Sequence, residues 1–284
     1  MWRRMVANKG LKTAFTACII SILLVGMLIP LVNTWAINVD IATSKISIRL
    51  TDDGNTLYVG GSGPDNYTRI QDAIDNASDG ETVFVYDDSS PYYENVRINK
   101  SITLTGENKE TTIIDGSDNN SVVRIIVGNV TVQKFTLINA ERGVLVKKEI
   151  YLTSGISHVN IRHNIVINNA LEGISLWRCD YSTVYGNHVQ NNMWGISLYG
   201  CHFTTVTRNN LIDNVTDFLF KENMHIYYWS DFYFFFTNRL SGNYWDNWIG
   251  ILPKPIIAFF YPIYPLIQFD WCPRLLPYRG GPDE

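Results

Sequence analysis

The chain has 284 residues, of which 46% are hydrophobic, and its formal net charge is −4. This length and apolar content are sufficient for one elongated domain with a continuous core. The slightly negative charge and the lack of a basic stripe argue against a nucleic-acid partner.

Residues 1–36 are predicted to be an export segment. Four basic residues between positions 3 and 12 precede an uncharged run over residues 14–32, a pattern typical of export signals. The run is just long enough to span a bilayer, while residues 34–36 offer a small-x-small cleavage site. A membrane anchor with a cytoplasmic N-terminus and a cleaved signal peptide are both open. Either one places the remaining chain outside the cytoplasm, at the cell surface.

Six Asn-x-Ser/Thr sequons follow the export segment. Such sequons are acceptors for N-glycosylation on the exported side of a membrane. A chain rich in Asn and Thr also generates them by chance, so both interpretations remain open. The candidate residues are Asn66, Asn76, Asn99, Asn119, Asn129 and Asn214.

A linker and the first strands are predicted over residues 37–66, and a short amphipathic helix over residues 67–77. Thr68 followed by Gln71 is a capping-box pattern for the start of this helix. A helix here would cover the open first edge of a stack of strands. Its apolar residues recur at helical spacing: Ile70, Ala73, Ile74 and Ala77.

Short strands follow the helix, and they develop into a sequence repeat. Gly173-Ile-Ser-Leu176 recurs 22 residues later as Gly195-Ile-Ser-Leu198. A fixed period of this size with alternating apolar residues is typical of a parallel β-helix, in which each coil buries its apolar face by stacking on its neighbours. The sequence therefore predicts an all-β fold, a parallel β-helix solenoid over residues 67–250.

Two kinds of polar residue recur in the same position of successive coils. Cys179 and Cys201 are one such pair. Export would permit a disulfide between them, but facing residues of parallel strands give poor disulfide geometry, which favours stacked free thiols. The other kind is asparagine, which tolerates left-handed backbone and bonds both main chain and stacked asparagines. We interpret these as structural corner residues: Asn164, Asn187, Asn209 and Asn243.

The 22-residue period breaks on both sides of the two regular coils. Gly143 lies 21 residues before Asn164 rather than 14, and Asp217 lies 26 before Asn243. Both insertions fall at the same corner, so we expect two walls around a saddle. The predicted floor of that saddle consists of Trp177, Arg178, Asp180, Tyr181, Tyr199, His202 and Phe203.

The saddle floor is the candidate ligand-binding site. Trp177 should stack with Tyr199, and Tyr181 with Phe203, while Asp180 should face His202. Aromatic faces beside a few charged groups suit sugars, which suggests an envelope polysaccharide or glycan as the partner. Aromatic columns that stack for packing alone are the alternative.

Residues 251–284 are predicted to be an aromatic and Pro-rich C-terminal cap. The preceding run at 226–236 is mostly aromatic. A buried cap, a sugar platform and a lipid-touching segment are all compatible with it. The cap is favoured because an exposed patch of this size would promote aggregation.

Over roughly residues 55–280 the chain resembles archaeal surface proteins with NosD-like, right-handed β-helix repeats of the pectin-lyase-like fold. The resemblance implies an exported surface module. It is specific for fold and weak for activity, because one fold hosts many chemistries. The motifs that carry it are Gly61-Ser-Gly-Pro64, Ile70-Gln-Asp-Ala-Ile74, Asp79-Gly-Glu-Thr82, Tyr92-Tyr-Glu-Asn95, Lys100-Ser-Ile-Thr-Leu-Thr-Gly-Glu107, Thr111-Thr-Ile-Ile-Asp-Gly116, Gly242-Asn-Tyr-Trp-Asp246 and Phe269-Asp-Trp271.

We expect a structural or carbohydrate-interacting module without catalysis. A polysaccharide lyase, epimerase or hydrolase needs clustered carboxylates, and Asp180 has no carboxylate in the matching position of the next coil. The copper role that the NosD resemblance implies needs clustered His, Met or Cys ligands, and the five histidines share no column. We therefore assign no catalytic residue, metal ligand or cofactor, and keep both roles as alternatives.

Overall fold

The computed structural model describes residues 55–148, 155–222, 238–246, 254–260, 264–270, 273–274 and 276–277. The predicted export segment, most of the linker and the aromatic run at 226–236 lie outside them. The described residues all belong to one compact unit, Thr51–Glu284. Among them, no helix has the length and apolar content that crossing a membrane requires.

The described chain is a parallel β-helix whose coils place one strand in each of three sheets, here called A, B and C. Sheet A contains β1 (Thr56–Val59), β2 (Thr82–Val85), β5 (Thr103–Gly106), β8 (Val130–Gln133), β12 (Val159–Arg162), β16 (Thr183–Tyr185), β19 (Thr205–Thr207) and β22 (Arg239–Ser241). Sheet B contains β3 (Tyr92–Tyr93), β6 (Ile113–Asp115), β9 (Thr136–Ile138), β13 (Ile165–Ile167), β17 (His188–Gln190), β20 (Asn210–Ile212) and β23 (Tyr244–Trp245).

Sheet C ends in an antiparallel hairpin, whereas its earlier strands are parallel. A two-stranded sheet, formed by β11 (Ile156–Ser157) and β15 (Cys179–Asp180), lies between sheets C and A along the chain. The strands of sheet C are β4 (Val96–Ile98), β7 (Ser121–Ile125), β10 (Arg142–Val146), β14 (Glu172–Trp177), β18 (Trp194–Tyr199), β21 (Thr216–Glu222), β24 (Lys254–Phe260) and β25 (Tyr264–Asp270).

The duplicated Gly-Ile-Ser-Leu strands lie side by side, as the repeat predicts. Ile174 pairs with Ile196, and Leu176 with Leu198. All four side chains are fully buried. Because side chains alternate along a strand, one face of each strand supplies a continuous apolar column to the interior. This burial is the main driving force for stacking the coils.

Helix α1 (Ile70–Asn76) is shorter than predicted, and the predicted capping box does not form. Arg69 is the N-cap residue and makes no side-chain cap. The carboxylate of Glu94 instead accepts hydrogen bonds from the backbone N–H groups of Ile70 and Gln71, at 2.8 and 3.0 Å. A carboxylate satisfies the otherwise unpaired N–H groups of the first turn and offsets their partial positive charge. The cap therefore comes from a residue distant in sequence.

Glu94→Ala is expected to lower the free energy of unfolding by about 1–2 kcal/mol, as loss of a helix cap does. Urea unfolding followed by circular dichroism measures this change. Glu110→Ala is the matched control, because Glu110 is exposed and its contact with Lys109 is a surface ion pair at 3.8 Å. Equal losses for the two variants would contradict the capping role.

The corner asparagines follow left-handed residues and are not themselves left-handed. Their predicted structural role is confirmed by the hydrogen bonds they make. At the corner between sheets A and B, the preceding residue makes the turn, so each asparagine keeps both its N–H and its amide directed at the next coil. The left-handed residues there are Lys134, His163, Gly186, Arg208 and Gly242.

The asparagines at this corner form a hydrogen-bonded ladder through the interior. The backbone N–H and Nδ2 of Asn187 both donate to Oδ1 of Asn209, each at 3.0 Å. Asn209 donates in the same way to Asn243, again at 3.0 Å. Asn243 donates to Oδ2 of Asp270 at 3.1 and 3.0 Å. The buried carboxylate of Asp270 thus ends a column of amides that all point towards it.

A second ladder, at the corner between sheets B and C, was not predicted. Asn169 donates from its backbone N–H and Nδ2 to Oδ1 of Asn192, and Asn192 donates likewise to Asn214, at 3.0 to 3.2 Å. Nδ2 of Asn214 lies 3.5 Å from Oδ1 of Asp217. The sequence does carry a signal, because each of these asparagines lies five residues after a member of the first ladder.

Cysteines occupy ladder positions at the third corner. Cys179 and Cys201 are free thiols, which is the alternative that the geometry of parallel strands favours. The backbone N–H of Cys179 donates to Sγ of Cys201 at 3.4 Å. Burial raises the pKa of Cys179 to about 12 and that of Cys201 well above its usual value. Both thiols therefore stay protonated. Cys18 and Cys272 lie outside the described residues.

Candidate functional site

The C–A corner is the part of each coil that connects a sheet C strand to the next sheet A strand. Its described residues in three successive coils are 155–158, 178–182 and 200–204. The predicted insertions begin after β10 and β21, and the chain rejoins sheet A at β12 and β22. Both insertions therefore leave and rejoin the stack at this corner. Residues 149–154 and 223–237, where the predicted walls would be, lie outside the described residues.

Trp177 and Tyr199 are paired but offer no open ring face. They are in register on β14 and β18, and their rings stack with centroids 4.0 Å apart. Tyr199 is only 6% exposed. Nζ of Lys147, from the coil on the other side, lies 4.4 Å from the centroid of the Trp177 ring. Both faces of Trp177 are therefore covered, and this pair packs the outer face of sheet C.

The hydroxyl of Tyr199 joins a buried ion pair on the same sheet face. It donates to Oε1 of Glu172 at 3.2 Å, and Oε2 of Glu172 lies 2.8 Å from Nε of Arg142. Burial, followed by the charge of Glu172, raises the pKa of Tyr199 to about 12. The carboxylate of Glu172 is buried and paired, so it is unavailable as an acid or base beside the corner.

Three aromatic rings form a stack along the C–A corner. The centroids of His158 and Tyr181 are 5.7 Å apart, and those of Tyr181 and Phe203 are 4.8 Å apart, with interplanar angles of 14° and 6°. Tyr181 is 56% exposed and Phe203 42% exposed. Sequence reasoning missed His158, although it lies 23 residues before Tyr181, close to the repeat period.

All three rings are carried by residues with left-handed backbone. The φ angles of His158, Tyr181 and Phe203 are +58°, +49° and +53°. This conformation costs a bulky residue roughly 1–2 kcal/mol, whereas glycine and asparagine adopt it readily. The corner between sheets B and C follows that preference at Asn139, Asn168 and Asn191, whereas the corner between sheets A and B also carries Lys134, His163 and Arg208 in this conformation. The C–A corner thus keeps three exposed rings on left-handed backbone.

Polar groups flank the aromatic stack. Oδ1 of Asp180 accepts the backbone N–H of His202 at 2.8 Å and lies 3.2 Å from its Nδ1. Arg178 is exposed and left-handed, and its carbonyl accepts the N–H of Ile156 at 3.0 Å. Five residues of the predicted floor are thus gathered at the corner, while the rings of Trp177 and Tyr199 stack on each other at the adjoining ends of β14 and β18. Among the corner's described residues, Asp180 is the one carboxylate.

This corner can bind a ligand by two kinds of contact. The stacked rings cover each other's faces, so they present an apolar stripe of ring edges that runs across three coils. The Asp180–His202 pair and the guanidinium of Arg178 supply hydrogen-bonding groups beside the stripe. An extended ligand with alternating apolar and hydroxyl-bearing parts fits such a surface.

Comparison with known proteins identifies the family. Residues 44–250, most of the chain, match the family model described as "Periplasmic copper-binding protein (NosD)". The chain belongs to the NosD family. No curated protein matches it. A solved structure, ORF18 of Geobacillus virus E2, is similar over 62% of this chain and 37% of its own length, with 17% identity and a TM-score of 0.41. The chain thus spans little more than a third of that protein.

Membership in NosD confirms the predicted NosD-like repeats. The family is described as periplasmic, which agrees with the export predicted from the N-terminus and locates the β-helix outside the cytoplasm. Three of the motifs that resemble NosD proteins have structural roles here. Glu94 caps α1, and Asp270 accepts hydrogen bonds from both Asn243 and the indole of Trp245. These three motifs therefore contribute to the fold.

Proposed function

We propose that this NosD-family protein is a non-catalytic, extracytoplasmic module that binds an extended carbohydrate chain along its C–A corner. The observation that carries the proposal is the stack of His158, Tyr181 and Phe203, whose side chains are exposed on three successive coils. Exposed aromatic edges beside hydrogen-bonding groups suit the mixed apolar and hydroxyl surface of a polysaccharide.

The polar groups of the corner favour binding over catalysis. Glycoside hydrolysis typically uses a pair of carboxylates that flank the scissile bond. Oδ1 of Asp180 is engaged by His202, and the nearby Glu172 is buried against Arg142. We therefore assign no acid, base or nucleophile to the corner. We also propose that residues 1–36 deliver the β-helix to the envelope, as a retained anchor or a cleaved signal.

The double variant Tyr181→Gly/Phe203→Gly is expected to bind envelope polysaccharides at least about fivefold more weakly than the parent. Loss of two aromatic contacts worth about 0.5–1.5 kcal/mol each accounts for a change of this size. Affinity electrophoresis against a panel of polysaccharides measures it. Glycine is chosen because it adopts the left-handed backbone readily and, unlike asparagine, creates no sequon with the Ser and Thr residues that follow both positions.

Tyr93→Ala is the control for this experiment, because Tyr93 is 70% exposed but lies on sheet B, away from the corner. Its affinity should equal that of the parent. Unchanged binding by the double variant, or an equal loss in Tyr93→Ala, would contradict a carbohydrate site at the corner. Absence of binding by the parent to every polysaccharide would contradict the proposal as a whole.

Copper handling is the second candidate, because the NosD family is described as copper-binding. Copper sites are built from clustered His, Cys or Met ligands. Among the described residues, no three or more His, Cys, Asp or Glu side chains form a group that could hold a metal. The thiols of Cys179 and Cys201 are buried, and both are engaged within the stack: Sγ of Cys201 accepts the N–H of Cys179 at 3.4 Å, and Sγ of Cys179 lies 3.1 Å from Oγ of Ser182. The described residues do not fit a copper centre, and we derive no copper chemistry from them.

The variant Cys179→Ala/Cys201→Ala is expected to bind as many equivalents of copper(I) as the parent. The reason is that both thiols are buried and engaged within the stack. An anaerobic titration against a chromogenic copper(I) chelator counts the bound metal, and circular dichroism verifies that the variant folds. Loss of one bound copper in a folded variant would show that these thiols ligate the metal and would favour copper handling.

A further inference from the structure

The six sequons differ in whether the acceptor nitrogen is free. Nδ2 of Asn66 donates to the carbonyl of Gly60 at 2.5 Å, and Nδ2 of Asn214 donates to that of Val189 at 3.0 Å within the second ladder. A sugar on either nitrogen would break a hydrogen bond of the fold. Asn76 and Asn119 are exposed but each donates one local hydrogen bond, to Asp72 and Ser117.

Asn99 and Asn129 are the sequon residues with exposed, uncommitted amides. Both side chains are exposed, and neither amide makes a hydrogen bond within the described part of the chain. Both lie in C–A connections, Asn99 after β4 and Asn129 before β8. Asn129 is left-handed, with φ of +55°, and it occupies the column of His158 one coil earlier. A glycan on either residue would project into solvent and displace no partner.

From this sorting we infer that the exported chain carries N-linked glycans on Asn99 and Asn129, and that Asn66 and Asn214 remain unmodified. The co-reactant is a lipid-linked oligosaccharide with a phosphate or pyrophosphate leaving group. Nδ2 bonds to the anomeric carbon, the bond from that carbon to the phosphate oxygen breaks, and the phosphate leaves with the lipid. The amide nitrogen loses one proton in the exchange.

Transfer takes place before these coils close, so the fold acts on its outcome: a glycan on Asn66 or Asn214 competes with a hydrogen bond of the fold, and the folded protein is depleted of chains modified there. In the folded chain, Oγ of Ser101 donates to the carbonyl of Gly128 at 2.9 Å, and Thr131 is paired within sheet A to Thr103 and Asn160. The hydroxyl residue of each sequon is thus fixed in the stack, while the asparagine itself stays at the surface. Modification during export leaves the glycans outside the coils as they close.

Peptide mass spectrometry of the protein purified from its own host tests the inference, independently of polysaccharide binding. We expect glycan on the peptides that contain Asn99 and Asn129, and unmodified peptides for Asn66 and Asn214. Asn99→Gln and Asn129→Gln should each lower the intact mass by one glycan. The control Asn66→Gln should change it only by the substitution. Unmodified Asn99 and Asn129, or glycan on Asn214, would overturn the inference.

Discussion

Asn209→Ala is expected to lower the free energy of unfolding by about 4 kcal/mol, a large effect for a single polar side chain. Its amide lies at the centre of the first ladder. Nδ2 donates to Val184, Thr207 and Asn243, while Oδ1 accepts two hydrogen bonds from Asn187. Alanine leaves several of these buried groups without partners, and each costs about 1–3 kcal/mol.

Urea unfolding monitored by circular dichroism measures this loss. Asn76→Ala is the matched control, because Asn76 is exposed and makes a single local hydrogen bond. Its effect should stay within about 0.5 kcal/mol, as for ordinary surface substitutions. A loss below 1 kcal/mol for Asn209→Ala would show that the ladder does not hold adjacent coils together.

Asp270→Asn is expected to cost about 3 kcal/mol, because hydrogen bonds to a charged acceptor are worth about 1.5–3 kcal/mol. Asp270 is fully buried. Its carboxylate accepts hydrogen bonds from Gly242, from both nitrogens of Asn243 and from the indole of Trp245, all at 3.0 to 3.1 Å. The asparagine amide has one acceptor and one donor group, so its NH₂ must face an existing donor.

The same unfolding measurement applies to this variant. Asp118→Asn serves as the control, since Asp118 is exposed and left-handed, a conformation that asparagine also adopts. Its stability should equal that of the parent. Equal stability for Asp270→Asn would contradict the view that a carboxylate terminates the ladder. That result would also show that the hydrogen bonds of Asp270 do not hold strand β25 against the last coil.

Much of the fold could be predicted because a β-helix repeats in one dimension. The 22-residue period identified which residues share a column, as the pairing of Ile174 with Ile196 confirms. Contacts between distant segments could not be predicted in this way. The capping of α1 by Glu94 joins residues 24 positions apart that belong to no repeat. A local pattern, Thr68 with Gln71, therefore suggested the wrong cap.

The neighbours at the C–A corner were predictable in part from the sequence, but the exposure of their side chains was not. Column positions correctly paired Asp180 with His202 and Tyr181 with Phe203. The same reasoning treated Trp177 and Tyr199 as equivalent partners, although their rings are covered. A sequence period specifies which side chains are neighbours in the stack. It does not specify how a side chain lies on the sheet, nor which backbone positions are left-handed.

Exposure is what separates a binding surface from a packing column at this corner. The columns of the interior are buried, whereas Tyr181 and Phe203 are 56% and 42% exposed. Left-handed backbone alone does not distinguish the corner, because the corner between sheets A and B carries the left-handed residues Lys134, His163 and Arg208. If ligand binding maintains these rings, their removal should cost affinity and little stability.

The most direct test is to measure unfolding free energy and polysaccharide affinity on the same Tyr181→Gly/Phe203→Gly protein. Relief of backbone strain, roughly 1–2 kcal/mol per residue, should offset the lost ring stacking of about 0.5–1.5 kcal/mol per pair. We predict a stability within about 1 kcal/mol of the parent, or above it, together with binding at least about fivefold weaker. Stability lowered by more than about 2 kcal/mol with unchanged affinity would contradict the account, because the rings would then serve packing alone.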